Sequence, residues 1–258
     1  MEQDFTLQVY ESVTSTMETA RQFVGTWQVT SSSTEQVNWQ GILAYEQTAG
    51  KGQRGRAWFA RPNQSLCATF LYHDPTLMPE RGLAFSLLSG VAVAHAVKSL
   101  AGETSTDIGL KWPNDLLLNG KKAGGILVEM VQAPGGTWVV LVGTGVNITL
   151  TDFPVEIAPF ATSLAQENLP TESPEDFARR IASHLKQYTY LLINEGFEAL
   201  CEQWKRLDRT AGKTFLYEED GQSVQAVAVG ITSTGLLRLK RLDGTEIVVQ
   251  TASSLKEI

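Results

Sequence analysis

The hydrophobic pattern of this chain changes period several times and predicts a succession of strands and helices. Short apolar runs bounded by turn residues predict strands, and apolar residues at helical spacing predict helices. Strands are predicted over residues 9–15, 42–47, 66–72, 116–118, 123–130 and 138–142. Helices are predicted from residue 15 towards 24 and over residues 80–100, 173–194 and 197–207. This mixture indicates an α+β fold, a mixed sheet with flanking helices.

A hairpin is predicted in the middle of the chain. Asn119-Gly120 separates two apolar runs, which is the strongest short-range hairpin signal that a sequence offers. The hairpin brings residues 112–115, Trp-Pro-Asn-Asp, alongside Lys122 and the pair Gly124-Gly125. A second hairpin is predicted with its turn at residues 133–136.

The pattern changes to period two after residue 213. Four short runs, over residues 214–217, 224–231, 236–241 and 246–249, are separated by turns that contain glycine. Regular short strands of this kind are typical of a small barrel. The sequence therefore predicts a large domain over residues 1–210 and a small barrel over residues 211–258.

The charge balance limits the partners that the chain can have. Its 258 residues carry a formal net charge of -7, so an anionic partner needs a local basic site rather than the whole surface. The first residues do not have the pattern of a secretory signal. No apolar stretch approaches the length that crosses a bilayer, and we expect a cytoplasmic protein without a membrane partner.

Cysteines and histidines give no sign of a cross-link or a metal centre. Cys67 and Cys201 lie in apolar segments and are predicted to be buried free thiols, as in a reducing compartment. The histidines are His73, His95 and His184, which have no partner at metal-ligand spacing. No metal ligand is therefore assigned.

A basic, glycine-rich loop is the clearest candidate for chemistry. Residues 50–58 read GKGQRGRAW and contain Lys51, Arg54 and Arg56 without an acidic residue. Glycines let a backbone approach a ligand closely, and guanidinium and N–H groups bind phosphate or carboxylate oxygens. The loop is neither a Walker A motif nor a dinucleotide fingerprint, and by itself it could be a solvated basic turn.

Two further polar positions allow more than one interpretation. Ser15 and Thr16 could cap the first helix, or the helix N-terminus could face a ligand. Asn114 and Asp115 could simply form a turn. Small residues over 143–146 end in the polar Asn147.

Taken together, the basic loop, the KWPND turn with Lys122, and the strand end at Asn147 resemble biotin protein ligases, which attach biotin to biotin-dependent carboxylases. The resemblance covers nearly the whole chain from Ser15 onwards. It implies a fold similar to class II synthetases, as in the biotin/lipoate ligase superfamily, followed by a small SH3-like β-barrel.

The resemblance also implies roles for individual residues. Those matching the biotin site are Ser15, Thr16, Gln47, Gly50, Lys51, Arg54, Lys122 and Gly125. Those matching the nucleotide site are Arg56, Trp58, Lys111, Asn114 and Asn147. Those matching the catalytic positions are Lys122, Asp115 and Arg56.

The implied reaction has two steps. The biotin carboxylate attacks ATP, which is accompanied by Mg²⁺, to form biotinyl-5′-AMP. A lysine of a biotin carboxyl carrier protein, an acetyl-CoA carboxylase subunit, then takes the biotinyl group. Lys122 would relieve the repulsion between the two anions, Asp115 would orient or deprotonate the acceptor amine, and the basic loop would close to exclude water.

Two positions depart from the family pattern. Gln53 stands where an arginine is usual, which weakens the charge of the loop that retains the intermediate, and Met17 stands where a polar residue is common. The motifs begin by residue 15, so we expect no N-terminal winged-helix domain and no DNA binding. Monomer and homodimer both remain open.

Two alternatives compete with this interpretation. A lipoate or octanoate ligase or transferase of the same fold would share the sheet and Lys122, but it fits the basic loop and residues 112–115 less well. A non-catalytic module that binds a carrier protein would not need Lys122 and Asp115, and both are present.

Overall fold

The structure is a computed structural model that describes residues 5–26, 39–74, 77–219, 222–249 and 255–258. Residues 30–38, which are rich in Ser and Thr and are predicted from the sequence to form a surface loop, lie outside these ranges, as does the glycine-containing turn predicted at residues 220–221. The described residues form a seven-stranded sheet, four α-helices and a five-stranded sheet.

The large sheet is mixed, as predicted. Its spatial order is β1-β2-β3-β7-β6-β5-β4. The strands are β1 (Thr6–Val13), β2 (Gln40–Gln47), β3 (Ser65–His73), β4 (Ile108–Lys111), β5 (Asp115–Leu118), β6 (Lys121–Gln132) and β7 (Trp138–Asn147). Only β1 and β2 run parallel, and every other neighbouring pair is antiparallel.

Helices cover both faces of this sheet. They are α1 (Thr16–Gly25), α2 (Gly82–Ala101), α3 (Pro174–Asn194) and α4 (Phe197–Leu207). The last three pack with the sheet around the main apolar cluster, while α1 packs on the opposite face in a smaller cluster with Met17 and Ile42. Thr16 and Met17 at the start of α1 also line a cavity on this face.

The expectation that no apolar stretch approaches a membrane-spanning length was wrong for α2. This helix has 20 residues and is apolar enough to cross a bilayer by length and composition alone. However, 67% of its apolar window is buried inside the protein, where it contacts α3, α4 and the large sheet. Its apolarity is explained by its place at the centre of the core.

The predicted hairpin between β5 and β6 is confirmed. Asn119 and Gly120 both have positive φ, 47° and 78°. A two-residue turn of this kind matches the twist of antiparallel strands. The predicted helix start at Ser173 is also confirmed, since its side chain accepts a hydrogen bond from the Asp176 N–H.

The C-terminal strands form a sheet that is open over the described residues. Its order is β11-β10-β9-β8-β12. The strands are β8 (Thr214–Glu219), β9 (Gln222–Ile231), β10 (Leu237–Arg241), β11 (Glu246–Val249) and β12 (Leu255–Glu257). The closed barrel expected from the sequence is not seen there, because the short β11 and β12 lie at opposite edges and do not pair with each other.

The two sheets contact each other closely. Trp112 donates its backbone N–H to Thr210 Oγ1 at 2.7 Å and its indole N–H to the Gly235 carbonyl at 3.0 Å. Phe215 and Leu237 of the small sheet belong to the main apolar cluster. The division into domains at residue 210 stays a prediction, and the small sheet is well placed to contribute to a site on the large one.

Candidate active site

A cavity of about 550 Å³ lies on the α1 side of the large sheet, where it is bounded by the basic loop and the small sheet. It is lined by all but one of the residues assigned to biotin, nucleotide or catalysis from the sequence. The lining residues from that assignment are Ser15, Thr16, Gln47, Lys51, Arg54, Arg56, Trp58, Lys111, Asn114, Asp115, Lys122, Gly125 and Asn147. Gly50 is the exception; it is buried, and a Cβ added to it would come within 2.8 Å of Gln47 Nε2.

The basic loop folds over this cavity as an irregular hairpin. Trp58 N donates to the Gly50 carbonyl at 2.9 Å, and Gly52 N donates to the Arg56 carbonyl at 2.7 Å. Arg54 takes a left-handed conformation with φ 60° at the tip. The two ends are therefore tied together while cationic side chains of the tip line the cavity.

Trp58 at the end of the loop packs against glycines of β6 and β7. A Cβ on Gly145 would come within 2.5 Å of the indole Cε2, and one on Gly125 would lie 3.4 Å from Cζ3. Gly145 must therefore be glycine for the indole to approach, whereas a Cβ on Gly125 would make only ordinary van der Waals contact with it. The Trp58 Nε1 atom is buried and has no hydrogen-bond partner among the described residues.

Lys122 faces the cavity because of a β-bulge. Regular alternation would place it on the same face as Gly124, whose Cβ direction points at Leu116 and the core. The register of β5 and β6 shifts between Leu116 and Leu117, so one residue of β6 is extra. Lys122 Nζ consequently lies on the side of Gly125, 3.5 Å from where a Cβ of that residue would be.

The ammonium group of Lys122 is held by Asp115. Lys122 Nζ lies 2.5 Å from Asp115 Oδ1, and the two side chains are 41% and 21% exposed. Since Asp115 starts β5 and Lys122 is near the start of β6, the hairpin predicted from Asn119-Gly120 is what brings them together.

The segment 153–161 closes another side of the cavity and supports Lys122. The Lys122 N–H donates to the Phe160 carbonyl at 2.8 Å, and the Thr162 N–H donates to the Lys122 carbonyl at 2.9 Å. Phe153, Ile157 and Phe160 from this segment line the cavity. The sequence had indicated only an irregular loop here, and its apolar residues were the missed signal.

A chain of hydrogen bonds organises the end of the cavity near α1. Gln47 Oε1 accepts from the Thr16 N–H at 2.8 Å and from Thr16 Oγ1 at 3.1 Å. Thr69 Oγ1, which is fully buried on β3, donates to Thr16 Oγ1 at 2.9 Å. The interpretation of Ser15 as a capping side chain was wrong, since it makes no capping hydrogen bond.

Cys67 lies behind this network and is confirmed as a buried free thiol, as is Cys201. Burial raises the pKa of the Cys67 thiol to about 11, against a smaller lowering by the Gln47 side chain. The group therefore stays protonated at neutral pH and is a poor nucleophile.

Two asparagines, Asn114 and Asn147, also line the cavity. Asn114 Nδ2 donates to the Ile126 carbonyl at 2.6 Å, and Asn147 Nδ2 donates to the Thr162 carbonyl at 2.9 Å. The Asn147 Oδ1 atom is buried without a partner among the described residues, as is Thr144 Oγ1. Unsatisfied buried polar atoms are costly, and those that line a cavity are suited to bind a ligand.

The small sheet supplies Phe215, Leu255 and Glu257 to the cavity wall. Glu257 Oε2 lies 2.5 Å from Lys111 Nζ. Nothing in the local sequence indicated this contact, because it joins two sheets that are far apart along the chain. Among the described residues, no group of three metal-ligating side chains could hold a metal ion.

The mixed sheet and its cationic loop define the class of protein ligases that includes biotin and lipoate ligases, and comparison with known proteins agrees. Residues 9–147 match the biotin/lipoate A/B protein ligase family. A biotin–[acetyl-CoA-carboxylase] ligase of Mycobacterium tuberculosis is 32% identical over 212 residues, which cover 81% of this chain and 75% of that protein. The chain therefore belongs to the biotin protein ligase family.

Two further proteins show how far the similarity extends. A bifunctional ligase/repressor of Bacillus spizizenii is 29% identical over 205 residues, and the match spans 79% of this chain but only 62% of that protein. The structure of the biotin protein ligase from Aquifex aeolicus in complex with biotin and ATP has a TM-score of 0.75 at 19% identity and covers 98% of both chains. The fold is thus shared over almost the whole length.

Proposed function

We propose that this protein activates biotin with ATP to give biotinyl-5′-AMP and transfers the biotinyl group to a lysine of a biotin carboxyl carrier protein. One observation carries the proposal. The Lys122 ammonium group and the basic loop face one cavity whose floor is lined with glycine. Homologous ligases that are named for biotin support the choice of substrate.

The biotin ring system is assigned to the end of the cavity near α1. Ser15, Thr16 and Gln47 offer neutral donors and acceptors there, and the Ser15 hydroxyl is not used for capping. A neutral ureido group needs such fixed dipoles rather than charges. The acid tail would then extend towards Lys122.

The first reaction needs two anions to meet. Lys122 lines the cavity and would bind both the biotin carboxylate and an α-phosphate oxygen, and so stabilise the charge that develops on the phosphoryl group. Arg56 and Arg54 in the loop add positive charge over the same space. Biotinyl-5′-AMP is a mixed anhydride that water hydrolyses, and closure of this loop would exclude water from it.

The nucleotide is assigned to the other end of the cavity, near Asn114, Asn147 and Trp58. Asn114, Asn147 and Trp58 all line the cavity and offer amide and aromatic groups for it. Mg²⁺ is expected to accompany ATP, and the phosphate oxygens and water can supply most of its ligands.

The second reaction requires a neutral acceptor amine. Asp115 lines the cavity beside Lys122 and is proposed to orient this amine and accept its proton. The amine nitrogen then forms the amide bond while AMP leaves with the bonding electrons of the anhydride.

Pyrophosphate exchange tests the choice of substrate. We expect exchange of label between ATP and pyrophosphate with biotin and none above background with lipoate or octanoate. A dithiolane ring or an alkyl chain has no ureido group that could form hydrogen bonds with Gln47 and Thr16. Exchange with lipoate instead would favour the related lipoate ligases, and no exchange with either acid would favour a binding module.

Replacing Thr69 by valine tests the assignment of the biotin end. The variant keeps the shape but removes the hydroxyl that donates to Thr16. We expect the Kd for biotin to rise about two- to tenfold, the range for one neutral hydrogen bond. Isothermal titration calorimetry measures it, with Thr69→Ser as the control that keeps the hydroxyl and should bind normally. Equal affinity in wild type and Thr69→Val would place biotin elsewhere.

A further inference from the structure

Glu257 reaches the cavity from the small sheet and holds two lysines at once. Its Oε2 atom lies 2.5 Å from Lys111 Nζ, and its Oε1 atom lies 2.6 Å from Lys213 Nζ. The three side chains are between 28% and 32% exposed. Lys111 ends β4 of the large sheet, whereas Lys213 directly precedes β8 of the small sheet.

Lys111 is the lysine of this trio that faces the ligand space. Lys111 and Glu257 belong to the described residues that line the cavity, and Lys213 does not. In the sheet, Lys111 pairs with Asp115, whose carboxylate holds Lys122. A nucleotide phosphate that approaches Lys122 therefore comes near a second ammonium group that is already bound to a carboxylate.

We propose that Glu257 is the resting counter-ion of a nucleotide-binding lysine: it pairs with Lys111 until phosphate oxygens displace it from that ammonium group, and Lys213 then remains as its partner. This inference rests on the proposed function and deepens it. It assigns the small sheet a part in nucleotide binding.

The second lysine makes such an exchange physically reasonable. Two ammonium groups and one carboxylate leave one net positive charge at the edge of the cavity. When Lys111 moves to phosphate, Lys213 still pairs with Glu257, so no partly buried carboxylate is left without a partner. Burial by itself raises the pKa of Glu257, but the two lysines lower it below its ordinary value, and the group stays ionised at neutral pH.

The test is nucleotide binding to the full chain by isothermal titration calorimetry. The probe is α,β-methylene-ATP, which cannot be cleaved to form the adenylate. Glu257→Gln removes the competing charge and keeps the size of the side chain. We expect the variant to bind the probe about two- to fivefold more tightly, in keeping with the modest worth of a partly exposed ion pair.

Three variants separate this proposal from its alternatives. Lys213→Gln leaves Glu257 with Lys111 alone and should weaken binding of the probe. Glu246→Gln removes a carboxylate of the same sheet that pairs with Arg238, and it should change nothing. In a Lys111→Met background, Glu257→Gln should no longer tighten binding.

The results that would overturn the proposal differ from those that would overturn the function. Weaker binding by Glu257→Gln would mean that the residue only supports the wall. If Glu257→Gln tightened binding of the probe equally in the Lys111→Met background, Glu257 would act by repelling the phosphates directly and not through Lys111. A wild-type protein that binds no nucleotide at all would contradict the proposed function itself.

Discussion

Replacement of Lys122 by alanine is expected to lower biotin-dependent ATP/pyrophosphate exchange by about 10²- to 10³-fold, because removal of one preorganised charge from the transition state has an effect of this order. The ammonium group lines the cavity and lies 3.5 Å from where a Cβ of Gly125 would be. Exchange measured at saturating biotin and ATP reports the first reaction alone.

The fold of this variant should be intact. The backbone N–H and carbonyl of residue 122 bond to Phe160 and Thr162, and alanine keeps both bonds. Asp115 loses its partner, but a pair with a side chain that is 41% exposed contributes little stability. Thermal unfolding should shift by only a few degrees.

The matched control is Lys121→Ala. Lys121 is the neighbouring residue on the same strand, carries the same charge and is exposed. Because the bulge places only Lys122 at the cavity, exchange by Lys121→Ala should be normal. Normal ATP/pyrophosphate exchange by Lys122→Ala would contradict the proposed mechanism.

Replacement of Asp115 by asparagine is expected to separate the two reactions. Transfer from preformed biotinyl-5′-AMP to the carrier protein should fall by about 10²-fold or more, the usual contribution of a general base. Adenylate formation should fall less, because Lys122 remains and the asparagine oxygen can still accept its hydrogen bond. Single-turnover transfer and pyrophosphate exchange measure the two steps.

Asp107→Asn provides the comparison for this variant. Asp107 is also a carboxylate in an ion pair, with Arg209, but it does not belong to the described lining of the cavity. It should leave both steps unchanged. If Asp115→Asn lowered both steps equally, Asp115 would act only by holding Lys122.

The secondary structure was largely predictable because its signals are local. Asn119-Gly120 forms the expected turn since both residues accept positive φ. Ser173 caps α3 because its hydroxyl reaches an N–H three residues away. Neither signal depends on the rest of the fold.

The sequence was less informative about the small sheet and the loop at residues 153–161. Short strands of period two indicated a barrel. However, the alternation of apolar and polar residues shows only which face of a strand is buried, and it does not show whether the two edge strands of the sheet pair with each other. The segment 153–161 has no regular pattern, and it becomes a wall of the site only through its bonds to the Lys122 backbone.

The sequence by itself determined the residue types of the site, the hairpin that joins Asp115 to Lys122, and the two glycine-containing strands. Only the tertiary structure decided where the side chains point. The bulge turns Lys122 away from the core, the glycines of two strands accept Trp58, and Glu257 reaches Lys111 from another sheet. The physical reason is that a turn is determined by neighbouring residues. The side of a sheet on which a side chain lies is determined by strand register and by packing between segments that are distant in the chain.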